Sequence, residues 1–278
     1  MSMSVQTNRS ALVALQNLNK TGDELAQVQG RITTGPEANN ASDNAAAWTI
    51  AQGQRADIGP LTSVKMSLDR ARAIAEVSST AGEAVSDLLV QLKEKVAAAM
   101  DASIDTSSRT ALDADFKSIL RQITQTVQDA QFDGANLLDG SLPGNLKFLA
   151  NADANSFITL SKQTLSLGGA IITIDPTASL GTITQATNIL AQLSTSISLA
   201  DQALGTLRSQ QKQIEGHSVF VTKLTDVLTS GVGNLVDADL AKESARLQAL
   251  QVRQQLGNQA LSIANSAPQV ILQLFRGG

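Results

Sequence analysis

The sequence has no cysteine and no tyrosine, one tryptophan and one histidine, and aromatic residues make up only 3% of its 278 positions. Without cysteine there is no disulfide and no thiolate metal site, although an extracellular location stays open. His217 is the single histidine, so a zinc centre or a Ser-His-Asp triad has no constellation behind it, and His217 reads as a helix-surface residue. The scarcity of aromatics also argues against a large ligand pocket. No enzyme is expected, and no cofactor.

Charged residues are sparse at 17%, the net charge is −4, and no basic cluster or aromatic ladder occurs. Nucleic acid is therefore not an expected partner. Long apolar runs are missing too. The most apolar stretch, "SIANSAPQVILQLFRGG" from Ser262 to Gly278, is interrupted by Pro268 and Gln273 and falls short of the roughly 20 apolar residues that span a bilayer. Membrane insertion is not expected. The start, "MSMSVQTNRSALVALQNLNK", lacks the early basic residues, apolar run and small-residue cleavage site of a secretory signal, so any export is expected to use another route.

What is present is alanine, leucine, serine, threonine and glutamine, a palette for long, closely packed helices. From Thr182 to Leu228 apolar residues recur at steps of three and four: Ile183, Ala186, Leu190, Leu193, Ile197, Ala200, Leu204, Leu207, Ile214, Val221 and Leu228. Gln211, Ser218 and Thr225 break the stripe. A seam this long predicts a coiled-coil helix. Leu68, Ala71, Ala75, Val85, Leu89, Leu92 and Val96 follow the same steps, interrupted at Ser78 and Gly82. "DASIDTSSRT" (Asp101 to Thr110) then reads as a polar turn with capping residues, and Leu112, Phe116, Ile119, Ile123 and Val127 mark a further helix. Residues 131–176 change character. "FITL", "TLSL" and "AIITID" are short β-branched runs set among turn residues, as in hairpins.

The two ends form a third zone. Leu18, Leu25 and Ile32 are spaced by seven, with Ala11 and Leu15 on the same face; near the other end Leu240, Leu247, Leu250, Leu261, Ala264, Ile271 and Phe275 continue a heptad seam. "TTGPEANNASDNAAAW" and "TSGVGN" read as linkers at 35–47 and 229–234, with Gly231 and Gly233 as a hinge and Trp48 as an aromatic anchor. The glycines lack the preceding strand and further glycine of a dinucleotide fingerprint. Asp237 and Asp239 read as helix caps. The expected fold is mainly α: an elongated rod of long antiparallel coiled-coil helices (48–228), a β-hairpin region (131–176) at the mid-chain tip, and termini (1–34 and 235–278) paired as an end helical domain.

Pairing the end helices covers one seam on each. Leu256, Ala260, Ile263, Val270, Leu272 and Leu274 form a second apolar surface off that seam. A helix that needs cover on several sides is expected to pack against further copies of the chain, and a heterologous contact of that kind generates a filament. The assembly contacts are expected at Leu15, Leu18, Leu25, Ile32, Leu250, Leu256, Leu261, Ile263, Ile271, Leu274 and Phe275.

These ends also carry a resemblance. "NLNKTGDELAQVQGRITTG" followed by "EANNASDNAAAWTIA", then "TQTVQDAQFDGANLL" with Asp133 where the family has asparagine, and finally "DADLAKE", "QQLGNQALSIAN" and "APQVILQLFR", are similar to the motifs of bacterial flagellins, in the same order. The resemblance implies a subunit of the flagellar filament, exported unfolded without a cleaved signal and built for motility. Its end helices would line an inner tube and its rod an outer tube. Implied partners are other copies of itself, the flagellar export apparatus, a flagellin export chaperone, and junction and cap proteins. The short middle leaves no room for a large outer domain. The family's receptor-contacting Gln-Arg-x-Arg-Glu pattern falls on "VQLKEK", with Gln91 in place of the first arginine, so recognition by the vertebrate innate receptor is not expected. Some family members carry O-linked sugars near the middle, which makes Ser161, Thr164, Ser166 and Thr173 candidate acceptors. An adaptor of the hook-filament junction, with similar end helices but assembling as one ring, is the alternative reading.

Overall fold

Five helices and one small sheet follow in chain order: α1 (Arg9–Thr34), α2 (Ala45–Ala99), α3 (Thr106–Asp129), β1 (Leu146–Leu149), β2 (Phe157–Leu160), α4 (Ile183–Val236) and α5 (Leu240–Arg276). The computed structural model describes the backbone of residues 8–276 and the side chains of residues 8–266. The chain divides into two units. One comprises Met1–Ala56 with Val227–Gly278, the other Asp57–Asp226.

In the unit Asp57–Asp226 the seams read from the sequence are the core. Leu68, Ala71, Ala75, Val85, Leu89, Leu92 and Val96 of α2 are fully buried, as are Ala186, Leu193, Ala200, Leu207 and Ile214 of α4. Ile183, which opens the predicted seam, is instead 40% exposed at the first residue of α4. The interruptions at Ser78 and Gly82 are buried too. At Gly82 the helices approach so closely that an added Cβ would lie 2.5 Å from Leu204 Cδ2, which explains why α2 carries glycine there against its low helix propensity. Ion pairs Arg208–Glu83 and Lys95–Asp115 decorate the outside of the bundle.

Helix ends are set by local chemistry. Asp105 caps α3, its side chain accepting from the Ser108 N–H at 2.6 Å. Arg109 reaches from the first turn of α3 to donate to the carbonyls of Ala99 and Asp101, which no helical donor serves at the end of α2. At the end of α3 the carbonyls of Val127 and Gln128 accept from the buried Asn136 amide, at 2.7 and 3.2 Å, while its oxygen accepts from Leu138 and Asp139 N–H. Phe132 and Ala135 exchange backbone hydrogen bonds across Asp133 and Gly134, both at positive φ, which is a two-residue reversal that glycine and Asp favour. Asn136→Ala is expected to destabilise this unit by about 3 kcal/mol, because it strands several buried backbone groups at once. Denaturant unfolding measures it, and a loss within the ordinary surface range of about 0.5 kcal/mol contradicts it.

β1 and β2 pair antiparallel, Leu146 opposite Leu160 and Leu149 opposite Phe157. Of the three predicted β runs, only "FITL" forms a strand; "TLSL" and "AIITID" meet in one isolated bridge, Leu167 to Ile172. Their Leu165, Ile172 and Ile174 are fully buried, so these residues act as plugs against the helices rather than as a ladder. The segment reverses the chain alongside the helices: Leu149 N–H donates to Ser67 Oγ, His217 Nε2 lies 2.6 Å from the Ala150 carbonyl, and Thr173 N–H donates to Ser196 Oγ. His217 therefore ties α4 to the hairpin and is half-buried, more than a surface residue.

Asp113 on α3 pins the entry to α4, accepting from Ser179 Oγ at 2.8 Å and Leu180 N–H at 2.6 Å, with Lys117 Nζ at 2.7 Å. Burial pushes its pKa up, but the hydrogen bonds from Lys117, Leu180 and Ser179 outweigh this and hold it below the usual carboxylate value. The Asp105 cap is lowered as well, chiefly by the Ser108 N–H. Lowered carboxylates contribute stability that is complete above the unfolded value, about 3.9, and is lost as the pH falls through the folded value. Thermal melts are thus expected to be insensitive to these groups from neutral pH to about pH 5 and to weaken progressively below about pH 4. Asp113→Asn, unable to titrate there, should flatten part of that acid limb; an unchanged limb would show that Asp113 contributes nothing to it.

Candidate assembly surface

The other unit is built on α1 and α5, which pack antiparallel. Asn8 caps α1, its Oδ1 accepting from Ala11 N–H, while its Nδ2 donates to the Ala264 carbonyl at 2.6 Å. At the opposite end Arg31 of α1 meets Glu243 of α5. Between them Leu18, Leu25, Ile32, Leu247 and Leu261 are half-buried and Val28 and Leu250 are buried. Gly257 sits against Leu18, where an added Cβ would be 3.1 Å from Leu18 Cδ1. Leu240, placed on the seam by its spacing, is 52% exposed at the first residue of α5. Val28, three residues after Leu25, is the contact that spacing by seven overlooked.

Where α1 ends, Gly35 takes φ 93° and its N–H donates to Arg31 O, a left-handed close that glycine makes without strain. The chain then crosses the joint between α4 and α5. Glu37 and Ala38 N–H donate to the Val236 carbonyl, and Ala238 N–H donates to the Gly35 carbonyl. Asp239 caps α5, accepting from Ala241 and Lys242 N–H, whereas Asp237 lies in the crossing opposite Pro36. The expected linker at 229–234 is not one: α4 continues through it to Val236. Gly231 and Gly233, read as a hinge, both lie within this helix. A Cβ on Gly231 would make only an ordinary contact, 3.5 Å from Gln54 Oε1, and one on Gly233 would stand 2.8 Å from Asp237 Oδ2, the end of a side chain that can turn aside. The break falls three residues later, at 237–239. The first linker is non-helical from Gly35 to Asn44, held by Asn40 and Asp43 side chains that accept from nearby backbone N–H groups, and Trp48 lies half-buried in the first turn of α2.

Pairing leaves the second apolar face uncovered. Leu12, Val13, Val252 and Leu256 are each more than half exposed and Ile263 is 70% exposed. Leu15 is also exposed, beside the seam rather than in it. An open groove runs between Val13 and Ala14 on α1 and Leu256, Gly257 and Ala260 on α5. No charged residue occurs between Arg253 and Arg276, so this surface has little to favour water over protein. Ile271, Leu274 and Phe275 lie outside the residues whose side chains are described. Of the candidate sugar acceptors, Ser161, Thr164 and Ser166 are half-buried and Thr173 is exposed. Ser161 Oγ accepts from Gln210 and Ser166 Oγ donates to the Asp139 carbonyl. Among the described residues no group of three or more His, Asp or Glu could hold a metal ion, and no helix is long and apolar enough to cross a membrane.

Comparison with known proteins agrees with this architecture. The bacterial flagellin N-terminal helical region matches residues 5–142 and the bacterial flagellin C-terminal helical region matches residues 187–275. Flagellin FljJ of Caulobacter vibrioides is 50% identical over the full length of both chains, and a flagellin of Brucella melitensis is 36% identical over 99% of each. A crystal structure of Bacillus cereus flagellin shares the fold at 15% identity, with a TM-score of 0.50 over 55% of this chain and 87% of that one. Matched at both ends by the family's helical regions and along its whole length by these relatives, the chain belongs to the bacterial flagellin family.

Proposed function

We propose that the paired α1 and α5 are the part of this filament subunit that binds neighbouring copies. As a flagellin the chain is a structural component of the extracellular flagellar filament, a homopolymer, and not an enzyme. The observation that carries the finer reading is the exposed stripe of Leu12, Val13, Leu256 and Ile263 on helices whose seam is already used. Covering each such side chain gains roughly 1.5–3 kcal/mol, and only another protein surface can do so for every copy in turn. On this reading Leu15, Leu256 and Ile263 contact neighbours directly. Leu18, Leu25, Ile32, Leu250 and Leu261 hold the pair together. The export apparatus, an export chaperone, and junction and cap proteins are the further partners it implies. Full-length similarity to flagellins favours an elongating subunit over a junction adaptor. Seeding the purified chain with filament fragments tests this: sedimentable mass should keep growing with time, whereas growth that stops at one added layer would favour the adaptor.

A further inference from the structure

We propose that Arg31 and Glu243 fix the register of the α1–α5 pair, and so determine which side chains it presents to neighbouring copies; this rests on the reading of the pair as the assembly surface. The paired side of α5 is a row spaced by seven, Glu243, Leu250, Gly257 and Ala264, and every member is buried or half-buried. Three slots hold small or apolar residues. The first holds a carboxylate that is 4% exposed. The facing row of α1, Ala11, Leu18, Leu25 and Ile32, is also spaced by seven and half-buried throughout.

Such rows do not define their own alignment. A slip by seven residues sets Leu25 where Leu18 stood and Ile32 where Leu25 stood, exchanging one aliphatic contact for another. The carboxylate is different. Burying it away from a cation is strongly unfavourable, and Arg31 is its ionic partner in the native alignment, Nη1 lying 3.5 Å from Glu243 Oε1. Glu37, the other acid near Arg31, is 3.8 Å from Nη1 and largely exposed, so it has no need of the arginine. Glu243 Oε2 is buried without a hydrogen-bond partner, so nothing else described holds this group in place. That slip carries Arg31 away from Glu243 and sets it against the apolar Leu250. A polar group in an otherwise apolar seam is the best-attested way for paired helices to choose one register.

The absence of cysteine makes a direct readout available. A Cβ at Gly257 lies 4.0 Å from Leu18 Cβ, within the span of about 3.5–4.5 Å that a disulfide bridges. Leu18→Cys with Gly257→Cys therefore reports the native register, and Leu25→Cys with Gly257→Cys reports a slip of seven. In seeded filaments of the full chain the first pair should cross-link nearly completely on oxidation and the second hardly at all. Adding Glu243→Arg should cut the native cross-link about tenfold and raise the slipped one; the double reversal, Arg31→Glu with Glu243→Arg, should restore the native pattern. If Glu243→Arg leaves the native yield unchanged, the backbone crossing at Gly35 and Val236 holds the register alone and the proposal is overturned. It is overturned equally if the double reversal restores nothing. If the unaltered chain forms no filaments, the assembly reading fails by itself; the same cross-link comparison on the dilute chain then decides the register.

Discussion

Removing Ser262 to Gly278 is expected to abolish seeded elongation while leaving the cooperative thermal melt of the remaining chain largely intact. The deleted stretch contains Val270, Ile271, Leu272, Leu274 and Phe275 and no charge before Arg276. At roughly 1.5–3 kcal/mol for each large apolar side chain covered on assembly, the loss is of order 10 kcal/mol per subunit, far beyond what a higher protein concentration can offset. The deletion also removes the Ala264 carbonyl that receives Asn8, so the first turns of α1 lose their anchor. The unit Asp57–Asp226 is held by its own core, from Leu68 to Val96 on α2 and Ala186 to Ile214 on α4, and does not depend on the deleted residues. Sedimentation with seeds reads the first effect and circular dichroism melting the second. Growth at any concentration would remove the tail from the assembly surface, and a lost melt would show that it belongs to the fold.

Ile263→Asp should do with one side chain a large part of what the deletion does. At 70% exposure Ile263 makes little contact within the chain, so the substitution changes the unassembled protein only by a modest helix propensity. On assembly the carboxylate would enter an apolar contact without a partner, at several kcal/mol per subunit. The critical concentration for seeded growth is then expected to rise by about two orders of magnitude or more. Ile263→Val loses one methylene and should cost about 0.5–1.5 kcal/mol, at most roughly tenfold. Equal critical concentrations for the aspartate variant and the unaltered chain would place residue 263 against water and not against a neighbour.

The parts of this fold that were readable from sequence are those governed by period. The row on α2 is fully buried and those on α3 and α4 are buried or half-buried apart from Ile183, because a long helix samples the same face every seventh position and its neighbours demand apolar cover there. Of the two aspartates read as caps before α5, Asp239 caps it while Asp237 pairs with Pro36 instead, a choice that depends on the distant chain crossing. What was hidden depends on partners far away in the chain. Gly231 and Gly233 look like a breaker, yet α4 runs through both to Val236. "TLSL" and "AIITID" have the composition of strands, but their buried faces belong to the helices, and burial does not require a ladder. Asn136 resembles any turn residue until its amide is seen closing α3. Glu243 did carry a signal, since it stands seven residues before Leu250, though charge at that slot reads as solvated until Arg31 is brought up against it. Leu256 and Ile263 could be placed off the seam by spacing, while the pairing that leaves them exposed required the fold.

The hydrogen bond from Asn8 to Ala264 joins residues 256 positions apart, and this dictates an order of events. Contacts of such sequence separation carry a large loop-closure cost and form late. The unit Asp57–Asp226 contains the whole intervening bundle, so its folding shortens the loop that α1 and α5 must close. Until α5 is available, α1 has no partner for its seam. An emerging chain therefore carries its first helix unmatched until α5 follows, and the apolar face that the pair leaves exposed comes into being only then.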